Sequence, residues 1–227
     1  MYDSVIPSTQ QKIRFRPYNV GEEKTLLIAY EGDNKQEIAK AILDIVLSCV
    51  EDNIDRKQLA VFDVEYLFLQ IRSKAVGESS TIVLSCAKCE HGNEVEVKVD
   101  QIKIDPGDFP ETRVNITDEY ALDLKFPLYL EVIEDSEGLQ TDSLNQLLFE
   151  LVIRSLDKLH TPEELINFKD VPTQEVVDFI SNLTTEQYGS IVKFIENLPK
   201  LSQEINYGCT ECGHKNEYNL QGLSDFF

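Results

Sequence analysis

No stretch of this chain approaches the eighteen or more consecutive apolar residues that a membrane-crossing helix needs, so no membrane partner is expected. No positively charged segment followed by an apolar one opens the chain, so nothing directs it to an oxidising compartment, and a disulfide framework has little support. Basic residues are scarce, 21 Lys and Arg against 41 Asp and Glu, for a net charge of −20. Affinity for nucleic acid rests mainly on cations set against phosphates. A chain of this charge repels that backbone, and no nucleic-acid partner is expected. The acidity confers solubility, and it also suits a basic or mixed protein partner. Catalytic signatures are missing too: P-loop, GxGxxG, HExxH and GxSxG do not occur. The three histidines are poor material for a triad or a catalytic metal site. No catalytic residue is expected.

What the chain does have is two matching cysteine pairs. Cys86-Ala-Lys-Cys89-Glu-His91-Gly-Asn93-Glu94 and Cys209-Thr-Glu-Cys212-Gly-His214-Lys-Asn216-Glu217 both read C-x-x-C-x-H-x-N-E. Alternating residues flank each pair, Thr81-Ile-Val-Leu-Ser before the first and Glu94-Val-Glu-Val-Lys-Val after it. That context reads strand, knuckle, strand. It predicts two zinc knuckles whose four thiolates, Cys86, Cys89, Cys209 and Cys212, converge on one structural Zn2+ with no open coordination position. His91 and His214 are then bystanders. Closing the loop of about 120 residues between the pairs costs about 4 kcal/mol plus a constant. A structural zinc site supplies about 10–16 kcal/mol in small peptides, so the metal term is the larger. A redox CxxC normally opens a helix in a βαβ unit, which is not the context here. The fifth cysteine, Cys49, sits among Ala41, Ile42, Ile45, Val46 and Val50 at helical spacing and reads as a buried apolar residue.

The expected fold class is α+β: a helical core with a β-rich insert and a zinc ribbon formed by two distant CxxC knuckles. Residues 1–79 read as a helical region, 80–136 as a β-rich region with the first knuckle, 137–200 as a second helical region, and 201–227 as the second knuckle completing the ribbon, the four forming one interlocked unit. The first dozen residues read as a loose arm, followed by a short strand at Ile13 to Pro17. Helices are predicted from Glu22 to Tyr30, after a cap at Asp33 or Asn34, and from Val64 to Ala75 with Asp63 as its N-cap and Gly77 as its stop. Glu65 then reads as a solvated neighbour of that cap. Val64, Leu67, Phe68 and Ile71 form its stripe, and with Tyr66 and Leu69 the helix is apolar almost all round, which favours burial over a subunit contact. Strands are predicted at Val95–Val99, Ile102–Ile104, Tyr120–Leu124 and Leu128–Val132, with a turn at Pro106-Gly107. Asp142 reads as the cap of a long helix through Leu156, with His160 closing a helix. Thr161-Pro-Glu-Glu reads as a capping box, and helices follow at 175–183 and 186–198. The closing Leu223-Ser-Asp-Phe226-Phe227 either folds back or docks into a neighbour.

Two stretches carry a family resemblance. Arg16-Pro17-Tyr18-Asn-Val20-Gly-Glu22-Glu23-Lys24-Thr-Leu26-Leu27-Ile28-Ala29 and Phe62-Asp63-Val64-Glu65-Tyr66-Leu67-Phe68-Leu69-Gln70-Ile71-Arg72-Ser73-Lys74-Ala75-Val76-Gly77-Glu78 resemble the baseplate hub protein family of T-even-type tailed bacteriophages, best over about residues 10–100. The resemblance implies a non-catalytic structural or assembly protein of a contractile-tail baseplate hub. It also implies other phage baseplate or hub proteins as partners, and a place in the virion tail baseplate after synthesis in the host cytoplasm. It brings no catalytic or binding residues and leaves the oligomeric state open. The alternatives are a zinc-ribbon adaptor or regulator that binds another protein or a nucleic acid, and a thiol-redox enzyme.

Overall fold

Asn19 is where the first strand pair hands over to the first helix, and it shows how local chemistry sets the element boundaries. The computed structural model describes residues 1–32, 34–99, 102, 104, 109–134 and 144–223. Asp33, Pro106, Gly107, Asp142, Phe226 and Phe227, to which the sequence assigns caps, a turn and an anchor, lie outside the described residues. In chain order the elements are β1 (Tyr2–Val5), β2 (Lys12–Phe15), α1 (Val20–Glu31), α2 (Lys35–Cys49), α3 (Val61–Val76), β3 (Ser79–Ser85), β4 (Gly92–Lys98), β5 (Arg113–Asn115), β6 (Ala121–Leu124), α4 (Tyr129–Glu134), α5 (Leu144–Ser155), β7 (Leu156–His160), β8 (Leu165–Asn167), a 3-10 turn (Phe168–Asp170), α6 (Thr173–Ser181), α7 (Thr185–Glu196), β9 (Ser202–Gly208) and β10 (Lys215–Gln221). The mixture is α+β. The chain divides into two compact units, residues 1–106 with 200–227, and residues 107–199.

In the first unit the N-terminal residues are not a loose arm. β1 pairs antiparallel with β2, Tyr2 opposite Phe15 and Val5 opposite Lys12. Burial explains the order: Ile6, Ile13 and Phe15 are each buried, and the turn is held by a buried carboxylate described below. α1 starts at Val20, two residues before Glu22. The Asn19 side chain accepts from the Gly21 and Glu22 N–H groups, and Glu22 accepts the Asn19 N–H at 2.8 Å, a reciprocal cap. The Arg16 guanidinium forks onto the same Glu22 carboxylate at 2.7 and 2.9 Å and donates to the Ser48 carbonyl at 3.0 Å. One side chain thus ties the end of β2 to the start of α1 and the end of α2.

Asn34 caps α2 by accepting the Gln36 and Glu37 N–H groups. The buried face of α2 is Ala41, Ile42, Ile45, Val46 and Cys49, as the spacing predicts, with Leu43 added. α3 begins at Val61 with Ala60 as its N-cap, so Asp63 sits in the first turn instead of capping it. Its Phe62, Val64, Leu67, Phe68, Leu69 and Ile71 are all buried. Each fully buried side chain of this size contributes about 1.5–3 kcal/mol, and truncating Phe68 to alanine would cost about 3–5 kcal/mol. The helix ends at Gly77, whose φ of 127° other residues rarely adopt. Two separate antiparallel hairpins complete the unit, β3 with β4 and β9 with β10.

The second unit is an antiparallel meander in the order β5-β6-β7-β8. Leu122, Leu124, Val152, Leu156, Phe168, Val176, Ile180, Ile191, Phe194 and Ile195 form its core. α6 and α7 match the two predicted helices, and Thr184 caps the second. Four expectations fail here or beside it. Leu128–Val132 is not a strand, because α4 occupies Tyr129–Glu134; Tyr129, Leu130 and Ile133 are buried at spacings of three and four, and so short an apolar run does not separate the two periods. Thr161–Glu164 is not a helix cap. The Thr161 hydroxyl oxygen does accept the Glu163 and Glu164 N–H groups, but the segment turns β7 into β8, with the Thr161 N–H on the Glu164 carbonyl. His160 therefore closes a strand, since α5 stops at Ser155 and Leu156–His160 pairs with β6. Ile102 and Ile104 lie outside the strands.

Candidate metal centre

Each CxxC pair occupies the turn of a hairpin with the same backbone pattern. The Cys86 N–H donates to the His91 carbonyl at 2.9 Å and the Glu90 N–H to the Cys86 carbonyl at 2.9 Å. In the second hairpin the Cys209 N–H donates to His214 at 2.8 Å and the Gly213 N–H to Cys209 at 2.9 Å. The residue after the second cysteine takes a left-handed conformation in both, Glu90 at φ 60° and Gly213 at φ 69°. Glycine suits that position because it has no Cβ.

The two turns face one another. Cys86 Sγ lies 3.7 Å from Cys212 Sγ and Cys89 Sγ 3.6 Å from Cys209 Sγ, and all four sulfurs lie within 4.8 Å of one another. A disulfide would need about 2.05 Å. Four ligands about 2.3 Å from a central ion form a tetrahedron with edges of about 3.8 Å, close to the 3.6 and 3.7 Å of the two cross-knuckle pairs. Cys86 and Cys209 are buried, whereas Cys89 and Cys212 face solvent. The donor set fits a divalent ion that favours thiolates. Burial acts to raise the Cys86 thiol, but the Lys88 and Cys89 N–H groups and the Cys212 and Cys209 thiols outweigh it and bring it to about 6. Cys209 is also lowered, chiefly by the Cys212 N–H. Cys89 moves the other way, to about 12: the His91 N–H pulls it down, and the Cys212, Cys209 and Cys86 thiols with burial overcome that pull. Adjacent sulfurs cannot all ionise cheaply, and a cation among them removes the repulsion.

The T4 bacteriophage base plate protein family model matches residues 1–227, the whole chain. The chain belongs to that family. No curated protein and no solved structure matches it. Membership makes this a structural phage baseplate protein, implies a location in the virion tail, and implies contact with other phage structural proteins. No helix among the described residues is long and apolar enough to cross a membrane. The two stretches that carry the resemblance in the sequence fall on the Arg16–Glu22 junction with α1, and on α3.

The baseplate protein thus brings the four predicted cysteines together. Among the described residues they are the one group of three or more His, Cys, Asp and Glu side chains placed to hold a metal ion, and the rings of His91 and His214 do not join it. Cys49 is wholly buried elsewhere, and its thiol is raised by that burial. The motif also holds a function that its cysteines conceal. Asn93 and Asn216 stand at the same offset from the first cysteine of each pair, and both are buried. The Thr210 N–H and hydroxyl donate to Asn93 Oδ1 at 2.8 and 3.0 Å, and the Ala87 N–H donates to Asn216 Oδ1 at 3.0 Å. Each asparagine also donates to the carbonyl of its own knuckle histidine, His91 or His214. The two hairpins are clasped reciprocally, and Tyr207 adds a hydrogen bond to the Ser85 carbonyl at 2.9 Å. The signal was visible as a repeated Asn, but its partner lies on the other knuckle.

A third hairpin repeats this turn with no cysteine. The Ile6 N–H donates to the Gln11 carbonyl at 2.9 Å and the Gln10 N–H to Ile6 at 2.8 Å, with Gln10 at φ 58°. Here the clasp is Asp63, fully buried, whose carboxylate accepts the Ser8 N–H at 2.8 Å, the Ser8 hydroxyl at 2.6 Å and the Ala60 N–H at 2.8 Å. Burial raises the Asp63 carboxyl, and the donors offset this only in part. Glu65 is not the solvated neighbour the sequence suggests. It is partly buried without a hydrogen-bond or ion-pair partner among the described residues, and burial pushes its carboxyl up to about 7.

Proposed function

We propose that this baseplate protein serves in the tail hub as a non-catalytic structural or assembly component, and that Cys86, Cys89, Cys209 and Cys212 hold one structural zinc that staples the C-terminal hairpin to the middle of the chain. The observation that carries the reading is the convergence of four sulfurs, from pairs 120 residues apart, within 4.8 Å of one another in a chain matched over its whole length by the baseplate family. With no open ligand position, such an ion contributes stability rather than reactivity. The net charge of −20 favours a protein partner over nucleic acid.

Elemental analysis of the native protein, with thiols counted before and after chelation, is the direct test. One zinc per chain, and four thiols that react only after its removal, are expected. Cys209→Ser should lose the metal and several kcal/mol of stability, with faster hydrogen exchange across 202–221. A metal-free native protein with freely reactive pairs refutes the staple. Pull-down against purified hub and tail-tube subunits tests the hub placement separately: retention by hub subunits supports it, and retention by none of them removes it.

A further inference from the structure

The helix α1 is apolar on the side it buries and also on the side it shows. Leu26 and Ala29 face inward, while Val20, Leu27 and Ile28 are 80%, 56% and 58% exposed. At about 100° per residue, Val20, Lys24, Leu27, Ile28 and Glu31 fall within an arc of roughly 100° opposite the buried side. The stripe therefore holds three apolar side chains, with Lys24 on one side of the Leu27–Ile28 pair and Glu31 on the other. Neither Lys24 nor Glu31 makes an ion pair among the described residues.

We propose that this face pairs with the same face of a second copy of the chain, antiparallel, about a two-fold axis passing between Leu27 and Ile28. Such an axis places Leu27 of one copy against Ile28 of the other. It also places Lys24 against Glu31 twice, because the two charges are equidistant from the axis. Two-fold interfaces require this self-complementarity, each residue meeting its counterpart in both directions. A parallel pairing would set Lys24 on Lys24 and Glu31 on Glu31, so charge selects the antiparallel one. The stripe holds only three apolar side chains, so the association is weak and concentration-dependent. It requires neither the metal nor the hub assignment.

The test needs no other protein: sedimentation velocity on the full native chain over a concentration series, at low and high salt, with Lys24→Glu, Glu31→Lys, the double exchange and Leu27→Asp. Circular dichroism checks that each variant is folded. The wild type is expected to pass from monomer to dimer as concentration rises. Each single reversal should weaken the dimer roughly tenfold or more, since both pairs become repulsive. The double exchange should restore it, and Leu27→Asp should abolish it. A wild type that stays monomeric overturns the pairing, including the case where Leu27→Asp impairs binding to a hub subunit, which would assign the face to a different partner. Failure of the double exchange to rescue overturns it as well.

Discussion

Replacing Asp63 should loosen the N-terminal hairpin more than any other single polar change in the first unit. The carboxylate is fully buried and takes three hydrogen bonds, two from Ser8 at the tip of the β1–β2 hairpin and one from Ala60 at the start of α3. Asp63→Ala removes all three. The Ser8 hydroxyl can turn to another acceptor, but the Ser8 and Ala60 N–H groups are left with none. Each orphaned donor costs about 1–3 kcal/mol, so the sum for the two is roughly 2–6 kcal/mol. Asp63→Asn should be milder. It removes a charge whose burial is unfavourable and keeps an acceptor for two of the donors, opposing only the Ser8 N–H with an amide N–H. The cost then falls to about 1–2 kcal/mol. Ser8→Ala, which leaves two donors on the carboxylate, should cost about 1 kcal/mol. Urea unfolding measures the order Ala, Asn, Ser8→Ala from most to least destabilising. Hydrogen exchange should place the Asp63→Ala loss in residues 2–15 and the start of α3. An Asp63→Ala protein within about 0.5 kcal/mol of wild type would show that the carboxylate does not hold the turn.

Glu65 should make stability fall with rising pH. Its folded carboxyl sits near 7, above its ordinary 4.5, so the favourable contribution is complete below pH 4.5 and is lost as pH rises through 7. Glu65→Gln should therefore raise stability by up to about 3 kcal/mol at pH 8 and have little effect at pH 4; an equal effect at both pH values refutes the burial argument. Glu22 has the opposite sign. The Arg16 fork foremost, with the Asn19 N–H and the Ser48 hydroxyl, lowers it to about 2 against the upward push of burial. Its contribution is present above pH 4.5 and lost as pH falls through 2. Partial solvent screening limits it, so Glu22→Gln should cost about 1 kcal/mol at pH 7, and thermal melts should show the difference closing toward pH 2. Asn93→Ala removes the acceptor for Thr210 at the edge of the cysteine cluster and should weaken zinc affinity by about 10–100-fold, measured by competition with a chromophoric chelator. Unchanged affinity would confine Asn93 to hairpin packing.

Local patterns were legible wherever a single element decides its own form. The cap at Asn34, one of the two residues the sequence offers for it, the stop at Gly77, the apolar face of α2 and the two strand–knuckle–strand segments could be read directly, because periodicity and turn chemistry act within a few residues. The four cysteines could be read as a set because the motif occurs twice with the same spacing. Where a segment's form depends on a distant partner, the pattern misled. Thr161-Pro-Glu-Glu has the chemistry of a helix start, yet pairing of β7 with β6 and β8 makes it a hairpin turn. Residues 1–12 lack periodicity because their order comes from Asp63, 55 residues beyond Ser8.

The sequence by itself determined the set of four cysteines, the acidic charge and the positions of most helices, all of which follow from residue type and short-range spacing. Only the tertiary structure decided which sulfurs of the facing knuckles lie side by side, Cys86 with Cys212 and Cys89 with Cys209, since the repeated motif predicts the convergence but not its pairing. It also decided that reciprocal asparagines clasp those knuckles, and that a third, cysteine-free hairpin adopts the same turn around a buried carboxylate. In each of these the deciding group lies far along the chain, where burial and hydrogen-bond geometry, not propensity, choose the partner.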